Sequence, residues 1–172
     1  MILVADASAL IALSVCDSLH LLEALFGNVI VPEAVFFEVA GTNKPQSESL
    51  RNYLQGKVRV VNMDYFVYLD AFADAGETQA MLLYKEVAAD YLLIDDKRGR
   101  KVAQLNHIKT IGSLGVLLQA KHVGLISEVE PLIKKIAASP IFMGAGLIQT
   151  VLELAGESHP SPWPSNTNNP AN

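Results

Sequence analysis

The feature that most constrains the fold is the alternation of short apolar runs with segments of helical pattern. The first run, Ile2 to Ala5, passes directly through Asp6 into a helical segment. The same step recurs where Tyr91 to Ile94 leads through Asp95-Asp96 into another helix. Strands that alternate with helices pair in parallel, because each helix returns the chain to the start of the next strand. The sequence therefore predicts an α/β fold, a three-layer α/β/α sandwich with a central, mainly parallel sheet.

The remaining elements follow from hydrophobic spacing and from turn residues. Apolar residues recur at helical spacing after Asp74, which predicts a helix that opens there and continues to Ala89. Glycine and proline residues between the periodic segments mark their ends. Further strands are predicted over residues 29–31, 58–61 and 109–111, and further helices over 7–15, 19–26, 32–40, 48–55, 97–105, 114–122, 129–138 and 142–154.

The domain organisation follows from length and from local composition. A chain of 172 residues is long enough for one hydrophobic core and short for two domains. We predict one domain over residues 1–138 and a helical extension over 139–156. From Glu157 onward the chain is rich in proline, serine and asparagine, so residues 157–172 are predicted to form a disordered tail.

Charge and composition narrow the functional classes. The net charge is −5, which argues against a protein that coats nucleic acid through a broad positive field. The single cysteine, Cys16, cannot form an intrachain disulfide, and this agrees with a reducing cytoplasm. No apolar run reaches the roughly 18 residues of a membrane span, and the N-terminus has no basic region of the kind that begins a signal peptide. We expect a cytoplasmic protein without a membrane anchor.

Carboxylates follow two of the predicted strands. Asp6 and the Asp95-Asp96 pair should reach the same edge of a parallel sheet, where open α/β sheets bind ligands. Glu38 and Glu77 lie on helices from which both can lean over that edge. Like charges about 4 Å apart repel by roughly 4 kcal/mol at an effective dielectric near 20, so such a cluster needs a cation or bound protons. Hard divalent ions such as Mg²⁺ prefer these oxygen ligands.

Each acid also has an ordinary structural explanation. Asp6 and Asp96 are suited to cap the helices that they precede. Asp74 and Glu77 are three residues apart, the spacing of a capping box. Glu38 has the pattern of a solvent-facing helix residue. Taken singly, these structural roles are the more common explanation, and only the set as a whole favours a shared site.

Four segments, in this order, resemble the successive motifs of the PIN-domain family. They are DASALIALS from Asp6, VPEAVFFEVA, which contains Glu38, GETQAMLLYKE from Gly76 and LLIDDKRGRKVA from Leu92. The later stretch TIGSLGVLLQAKHVGLI resembles the end of the domain in the prokaryotic branch related to VapC-type toxins. The resemblance spans about residues 2–135.

The resemblance implies a set of site residues. The implied catalytic acids are Asp6, Glu38, Glu77 and Asp96, the implied metal ligands are Asp6, Glu77, Asp95 and Asp96, and Ser8 supports the first aspartate. Motif alignment favours Asp96 over Asp95 as the fourth acid. The third acid is commonly aspartate in VapC proteins and is Glu77 here, and Ile94 stands where many relatives carry threonine or serine.

The activity that the resemblance implies is hydrolysis of RNA phosphodiester bonds with one or two Mg²⁺ or Mn²⁺ ions. A bound ion lowers the pKa of water to give hydroxide, and a second ion stabilises the leaving oxygen. The acids then serve as ligands or water-orienting groups, and no protein nucleophile is required. If the resemblance extends to biology, the chain is the toxin of a toxin–antitoxin pair, with an antitoxin protein as inhibitor and a homodimer as its assembly.

A basic cluster begins beside the acidic pair. It runs from Lys97 to Lys101, and phosphate contacts by Lys97, Arg98 and Arg100 would explain it, although a solvated helix face is the plainer explanation. Aromatic residues at positions 65, 66 and 68 have a spacing compatible with base stacking, but this spacing is more typical of a core.

Two other functions compete with the ribonuclease. A haloacid-dehalogenase-like phosphatase also places an aspartate after its first strand, but it needs a second acid where this chain has Ser8. A catalytically quiet binding module would keep the fold and lose the site, whereas all four acidic positions are filled here. The sequence therefore favours the metal-dependent ribonuclease.

Overall fold

Five strands and nine helices make up the residues that the computed structural model describes, 1–41, 45–64 and 74–157. The strands are β1 (Ile2–Ala5), β2 (Asn28–Pro32), β3 (Val58–Arg59), β4 (Tyr91–Leu93) and β5 (Thr110–Ile111). The helices are α1 (Ala7–Val15), α2 (His20–Phe26), α3 (Glu33–Ala40), α4 (Ser47–Tyr53), α5 (Ala75–Glu86), α6 (Lys97–Leu105), α7 (Ser113–His122), α8 (Glu130–Ala137) and α9 (Ala145–Leu154).

The sheet is parallel throughout, in the order β3-β2-β1-β4-β5. Leu3 is in register with Tyr91, and Ala5 with Leu93, so β1 and β4 end at the same level. From β1 the chain builds outward through β2 to β3, then crosses back to add β4 on the other side of β1. The strand order thus reverses between β1 and β4, which is where open α/β sheets form a crevice.

Alternating side chains of the strands feed two separate cores. Leu3 and Ala5 point into a large core shared with helices α1 to α4 and α7 to α9. Val4 points the other way, into a smaller core formed with α5 and α6. Because successive side chains of a strand face opposite sides of the sheet, helices cover both faces. The predicted three-layer sandwich is confirmed.

The third strand is shorter than the sequence predicts. A strand over residues 58–61 was expected, but β3 ends at Arg59, which pairs with Pro32 at the end of β2. Pro32 also precedes α3, so the neighbouring strand stops there and offers nothing for further pairing. Val60 is accordingly 74% exposed.

The fifth helix begins where the sequence predicts but ends earlier. It starts at Ala75 behind the cap Asp74 and ends at Glu86, not at Ala89. Ala88 has a φ of +48°, in the left-handed region that usually calls for glycine, and this residue turns the chain out of the helix. A helix end formed by alanine gives no sequence signal of its own.

The C-terminal helix packs into the main core. Residues 139–156, expected as an extension, contain α9, whose Ile148, Val151 and Leu152 share the core of α1 and α7. The helix begins at Ala145 and not at Phe142, which is 83% exposed. No single helix among the described residues is long and apolar enough to cross a membrane, and only α1 and α2 together, bent by 117°, meet that test as a pair.

Glu157 fastens the end of this helix to the rest of the domain. Its carboxylate accepts hydrogen bonds from Lys121 Nζ at 2.5 Å and from the backbone amides of Val129 and Glu130, both at 2.7 Å. Burial raises the pKa of the Glu157 carboxyl, but these hydrogen bonds outweigh burial and hold its pKa below the ordinary value. Glu157 therefore does not belong to the tail predicted over 157–172, and residues 158–172 lie outside the described part of the chain.

We expect Glu157→Ala to lower the free energy of unfolding by about 2 kcal/mol, because two amides and Lys121 lose a charged acceptor. For a chain of this size the melting temperature should fall by about 4 to 8 °C. Glu153→Ala is the matched control, since Glu153 is exposed on α9 and accepts a hydrogen bond from Gln149 within that helix. Equal melting temperatures for the two variants would contradict a fastening role for Glu157.

Candidate functional site

Acidic residues follow the ends of β1 and β4, at the crevice between these two strands. Asp6 follows β1, and its backbone amide donates to the carbonyl of Leu93 at 2.9 Å, which ties it to the end of β4. Asp95 and Asp96 continue the chain beyond β4. The acids after the two strands therefore stand at one edge of the sheet, as the sequence predicts.

Three aspartates in this crevice cap the helices that begin there. Asp6 accepts from the Ser8 amide at 3.2 Å and Asp74 from the Glu77 amide at 2.7 Å. Asp96 accepts from the first turn of α6, with two amide contacts of 2.8 Å. The helix-capping roles considered for these residues are confirmed. They coexist with a shared site, because the helices that they cap all begin at the same edge.

Glu77 lies at the centre of this group and is only 8% exposed. Its pKa is raised from 4.5 to about 7, first by burial and then by the charges of Asp74, Asp6 and Asp96 in that order, while a hydrogen bond from the Asp74 backbone lowers it. Three aspartate charges thus act on one buried glutamate. We call these four residues, Asp6, Asp74, Glu77 and Asp96, the acidic cleft.

Asp6 is buried and is held in place by Ser8. Burial raises the pKa of Asp6, hydrogen bonds from the Ser8 hydroxyl and backbone lower it, and the charge of Asp74 raises it. The Ser8 hydroxyl donates to Asp6 Oδ2 at 2.8 Å and accepts from the Asp95 amide at 3.2 Å. Ser8 therefore fixes the Asp6 carboxylate relative to the end of β4, a contact that fits its predicted supporting role.

The first turn of α6 closes over Glu77 at a glycine. A Cβ at Gly99 would lie 2.6 Å from Glu77 Oε1 and 2.5 Å from Ile94 Cδ1, so any larger residue would displace one of them. The glycine lets α6 approach closely enough for Asp96 and Glu77 to share the cleft.

Glu38 reaches the same region from α3. A Cβ at Gly76 would lie 3.1 Å from Glu38 Oε2 and 3.3 Å from Asp74 Oδ1, so the two carboxylates flank one point on α5. Glu38 is exposed, in contrast to Glu77. It stands at the rim of the acidic cleft.

Asp95 points elsewhere, although it is adjacent to Asp96. Its Oδ1 accepts from the Ser113 amide at 2.7 Å and its Oδ2 from the Ser113 hydroxyl at 2.6 Å. Both oxygens thus hold the start of α7, whose own capping position is Gly112, a residue without a side chain. The structure brings Asp6, Glu77 and Asp96 together and directs Asp95 away from them.

The basic residues predicted to contact RNA divide between two sides of α6. Lys97 and Arg100 line a groove beside Asp95, whereas the exposed Arg98 lies next to them on the helix and outside this lining. The aromatic residues considered for base stacking, Tyr65, Phe66 and Tyr68, lie outside the described residues.

The acidic cleft is an open set of oxygen ligands. In the described parts of the chain, no three acidic, histidine or cysteine side chains already surround one point as they do in a closed metal site. Mg²⁺ commonly keeps several waters and takes one or two carboxylates together with substrate phosphates. The mutual repulsion of the acids is the condition that such a cation would relieve, so the donor set fits Mg²⁺ or Mn²⁺.

Comparison with known proteins agrees with this geometry. The PIN-domain family model DUF3368 matches residues 2–157. The chain belongs to the PIN-domain family. None of the curated proteins matches it. The match extends through α9 to Glu157, so the C-terminal helix is part of the PIN domain. The family gives the chain a nuclease fold and places it among proteins that typically use divalent metal ions.

Sequence reasoning treated one member of the cleft only as a helix cap. The spacing of Asp74 and Glu77 predicts a capping box, and the Asp74 side chain does cap α5. The same spacing brings the Asp74 carboxylate beside Glu77, and its charge raises the pKa of both Glu77 and Asp6. The capping-box spacing was therefore the signal that could have added Asp74 to the site of this PIN domain.

The shifted pKa of Glu77 gives a stability test with a defined sign. The folded chain holds this proton more tightly than the unfolded chain, because the pKa rises from 4.5 to about 7 on folding. The contribution of Glu77 to stability is therefore most favourable below pH 4.5 and declines as the pH rises to about 7, by up to about 3 kcal/mol. In chelator, Glu77→Gln should remove this decline, measured as the change in unfolding free energy between about pH 5 and pH 8.

Glu128→Gln provides the control, because Glu128 is exposed in the turn before α8. It should keep the pH dependence of the wild type. If Glu77→Gln keeps it as well, Glu77 is not the group that opposes ionisation in the cleft.

Proposed function

We propose that this PIN domain is a metal-dependent ribonuclease that hydrolyses RNA phosphodiester bonds at the acidic cleft. The observation that supports this most directly is the buried Glu77 with Asp6, Asp74 and Asp96 near enough for their charges to raise its pKa, at the switch point of a parallel sheet. Such a cluster is unfavourable for an empty protein, and a cation or a cation with a bound phosphate removes the repulsion.

In this proposal Asp6, Glu77 and Asp96 hold Mg²⁺ or Mn²⁺. When bound, the ion would supply an acidified water and would neutralise charge on the phosphate. Ser8 keeps the Asp6 carboxylate in one orientation through its 2.8 Å hydrogen bond. Glu38 and Asp74, on either side of Gly76, orient water at the rim. We leave Asp95 out of the ligand set because Ser113 engages both of its oxygens.

The phosphatase alternative loses its support. It would need an acid at position 8, where the Ser8 hydroxyl instead donates to Asp6 Oδ2. Membership in the PIN-domain family also favours a nuclease.

The toxin role is a further part of the proposal and rests on the resemblance of the motifs to VapC-type toxins. If the chain is such a toxin, an antitoxin protein inhibits it and the chain forms a homodimer. Sequencing the RNA ends that the purified protein produces with Mn²⁺ would identify the target, and restored growth on co-expression of a neighbouring small protein would identify an antitoxin.

We expect Asp6→Asn to abolish RNA cleavage while the fold is retained, because asparagine still caps α1 but lacks the charge that holds a cation. Changes around metal ligands cost about 10- to 100-fold, so loss of a direct ligand should exceed about 100-fold. Asp17→Asn is the control at the other end of α1. Asp17 has a φ of +56°, which asparagine tolerates, and its carboxylate is exposed. Cleavage by a clean Asp6→Asn preparation at the control rate would refute the proposed site.

Melting curves separate Asp96 from Asp95 as a metal ligand. At 100 times its dissociation constant, Mn²⁺ should stabilise the wild type by about 2.7 kcal/mol, or about 5 to 10 °C. Asp96→Asn should be at least as stable as the wild type in chelator, since a repelling charge is removed and the cap is kept, and it should lose most of the gain from Mn²⁺. Asp95→Asn should keep that gain. Identical metal-induced shifts in the wild type and Asp96→Asn would exclude Asp96 from the site.

A further inference from the structure

A groove of about 540 Å³ lies along the outer side of α6, between the edge strand β5 and the start of α9. Lys97, Arg100 and Lys101 contribute its cations, and Gln104 extends its wall. Leu147, from α9, and Ile108 add apolar surface. The groove therefore combines positive charge, a polar side chain and an apolar surface, and its volume is within the range of sites for small ligands.

The groove residues of α6 form one helix face. Residues 97, 100, 101 and 104 are spaced i, i+3, i+4 and i+7, which brings them into a single row. The opposite face is buried and is formed by Gly99, Val102 and Ala103. Arg98 stands about 100° around the helix from Lys97 and does not line the groove.

Helix stability does not explain this row of cations. Lys97 and Lys101 are like charges at i and i+4, and Lys97 and Arg100 lie in the first turn of α6, where the helix dipole disfavours positive charge. Within residues 1–41, 45–64 and 74–157, Lys97, Arg100 and Lys101 form no ion pair. Asp95 also lines the groove, and its Oδ1 and Arg100 Nη1 lie 2.8 and 3.0 Å from one point beside Gly112, so this carboxylate balances part of the positive charge. Three cations against one carboxylate leave the groove with an excess of positive charge, which suits an anion from outside the described chain.

The groove adjoins the acidic cleft. Asp95 lines the groove and Asp96 belongs to the cleft, so consecutive residues at the end of β4 join the two surfaces. From Lys97 to Gln104 the helix rises about 10 Å, and the row of cations leads away from the cleft over that distance. A polyanion held at the cleft would thus continue directly onto the cations.

We propose that this groove binds the single-stranded RNA backbone next to the bond that is cut. Lys97, Arg100 and Lys101 contact phosphates, and Leu147 packs against a base or ribose. This inference rests on the proposed function, because the acidic cleft is what positions the RNA strand beside the groove. It differs from the sequence expectation by including Lys101 and the start of α9 and by leaving out Arg98.

The test measures binding of a fluorescent 2′-O-methyl RNA of about 12 nucleotides, which resists hydrolysis, in Mn²⁺ and over a range of salt. Arg100→Ala with Lys101→Ala should lower the salt slope by about 1.4, since each phosphate contact on a single strand contributes about 0.7. At about 0.1 M salt this corresponds to about 25-fold weaker binding. Lys134→Ala with Lys135→Ala removes the same charge from the exposed face of α8 and should bind as the wild type does.

A second pair of variants tests the apolar wall. Leu147→Glu places a negative charge in the groove and should weaken RNA binding, whereas Leu154→Glu, two turns along the same exposed side of α9, should not. If each groove variant binds as its control does, the groove is overturned as an RNA surface. Competition by a polyglutamate peptide as strong as by RNA of equal charge would also overturn it, in favour of an acidic protein segment.

Cleavage of unmodified RNA by the wild type, measured alongside, separates the two proposals. If the wild type cleaves RNA and the groove variants bind RNA as tightly as the wild type does, the groove proposal is overturned and the ribonuclease proposal stands. If the groove variants lose RNA binding but the wild type cleaves no RNA, the groove proposal is supported and the ribonuclease proposal is rejected.

Discussion

The arrangement of the site depends on one constraint, that helix N-termini in a parallel sheet gather at the edge where the strands end. Asp6, Asp74 and Asp96 each begin a helix there and accept backbone amide hydrogen bonds in its first turn. The amide donors and the helix dipole favour negative charge at these three positions. Parallel pairing therefore brings carboxylates together. It also supplies the amide donors and helix dipoles that offset part of their repulsion.

The amide donors and helix dipoles do not compensate the charge of Glu77. It follows the cap of α5 by three residues and lies beneath α6, where Gly99 leaves room for its carboxylate. Burial and the three aspartate charges together raise its pKa to about 7. Helix capping and metal binding are thus successive consequences of one geometry: the caps set the aspartates in place, and the glutamate that they surround needs an external cation in order to ionise freely.

Local sequence signals predicted most of the fold. The predictions failed where a residue distant in the sequence determines the end of an element or the direction of a side chain. The limits of β1, α1 and α6 follow from apolar runs that end at Asp6 and Asp96, and these are as predicted. The end of β3 is set by Pro32 in another strand, and strand order is not encoded in any single segment. Asp95 and Asp96 were indistinguishable by spacing. They separate because the first meets Ser113 on α7, 18 residues away, while the second caps its own helix.

The α6 helix also explains how a chain of net charge −5 can present a surface suited to a polyanion. Its buried face packs on Glu77 through Gly99, its first residue follows Asp96, and its outer face carries Lys97, Arg100 and Lys101. At physiological salt, charges are screened over about 8 Å, so the field within the groove is set mainly by the side chains that line it and only weakly by acids elsewhere. One helix can therefore border the acidic cleft at its first turn, where it follows Asp96 and packs on Glu77, and carry a basic row along its outer face.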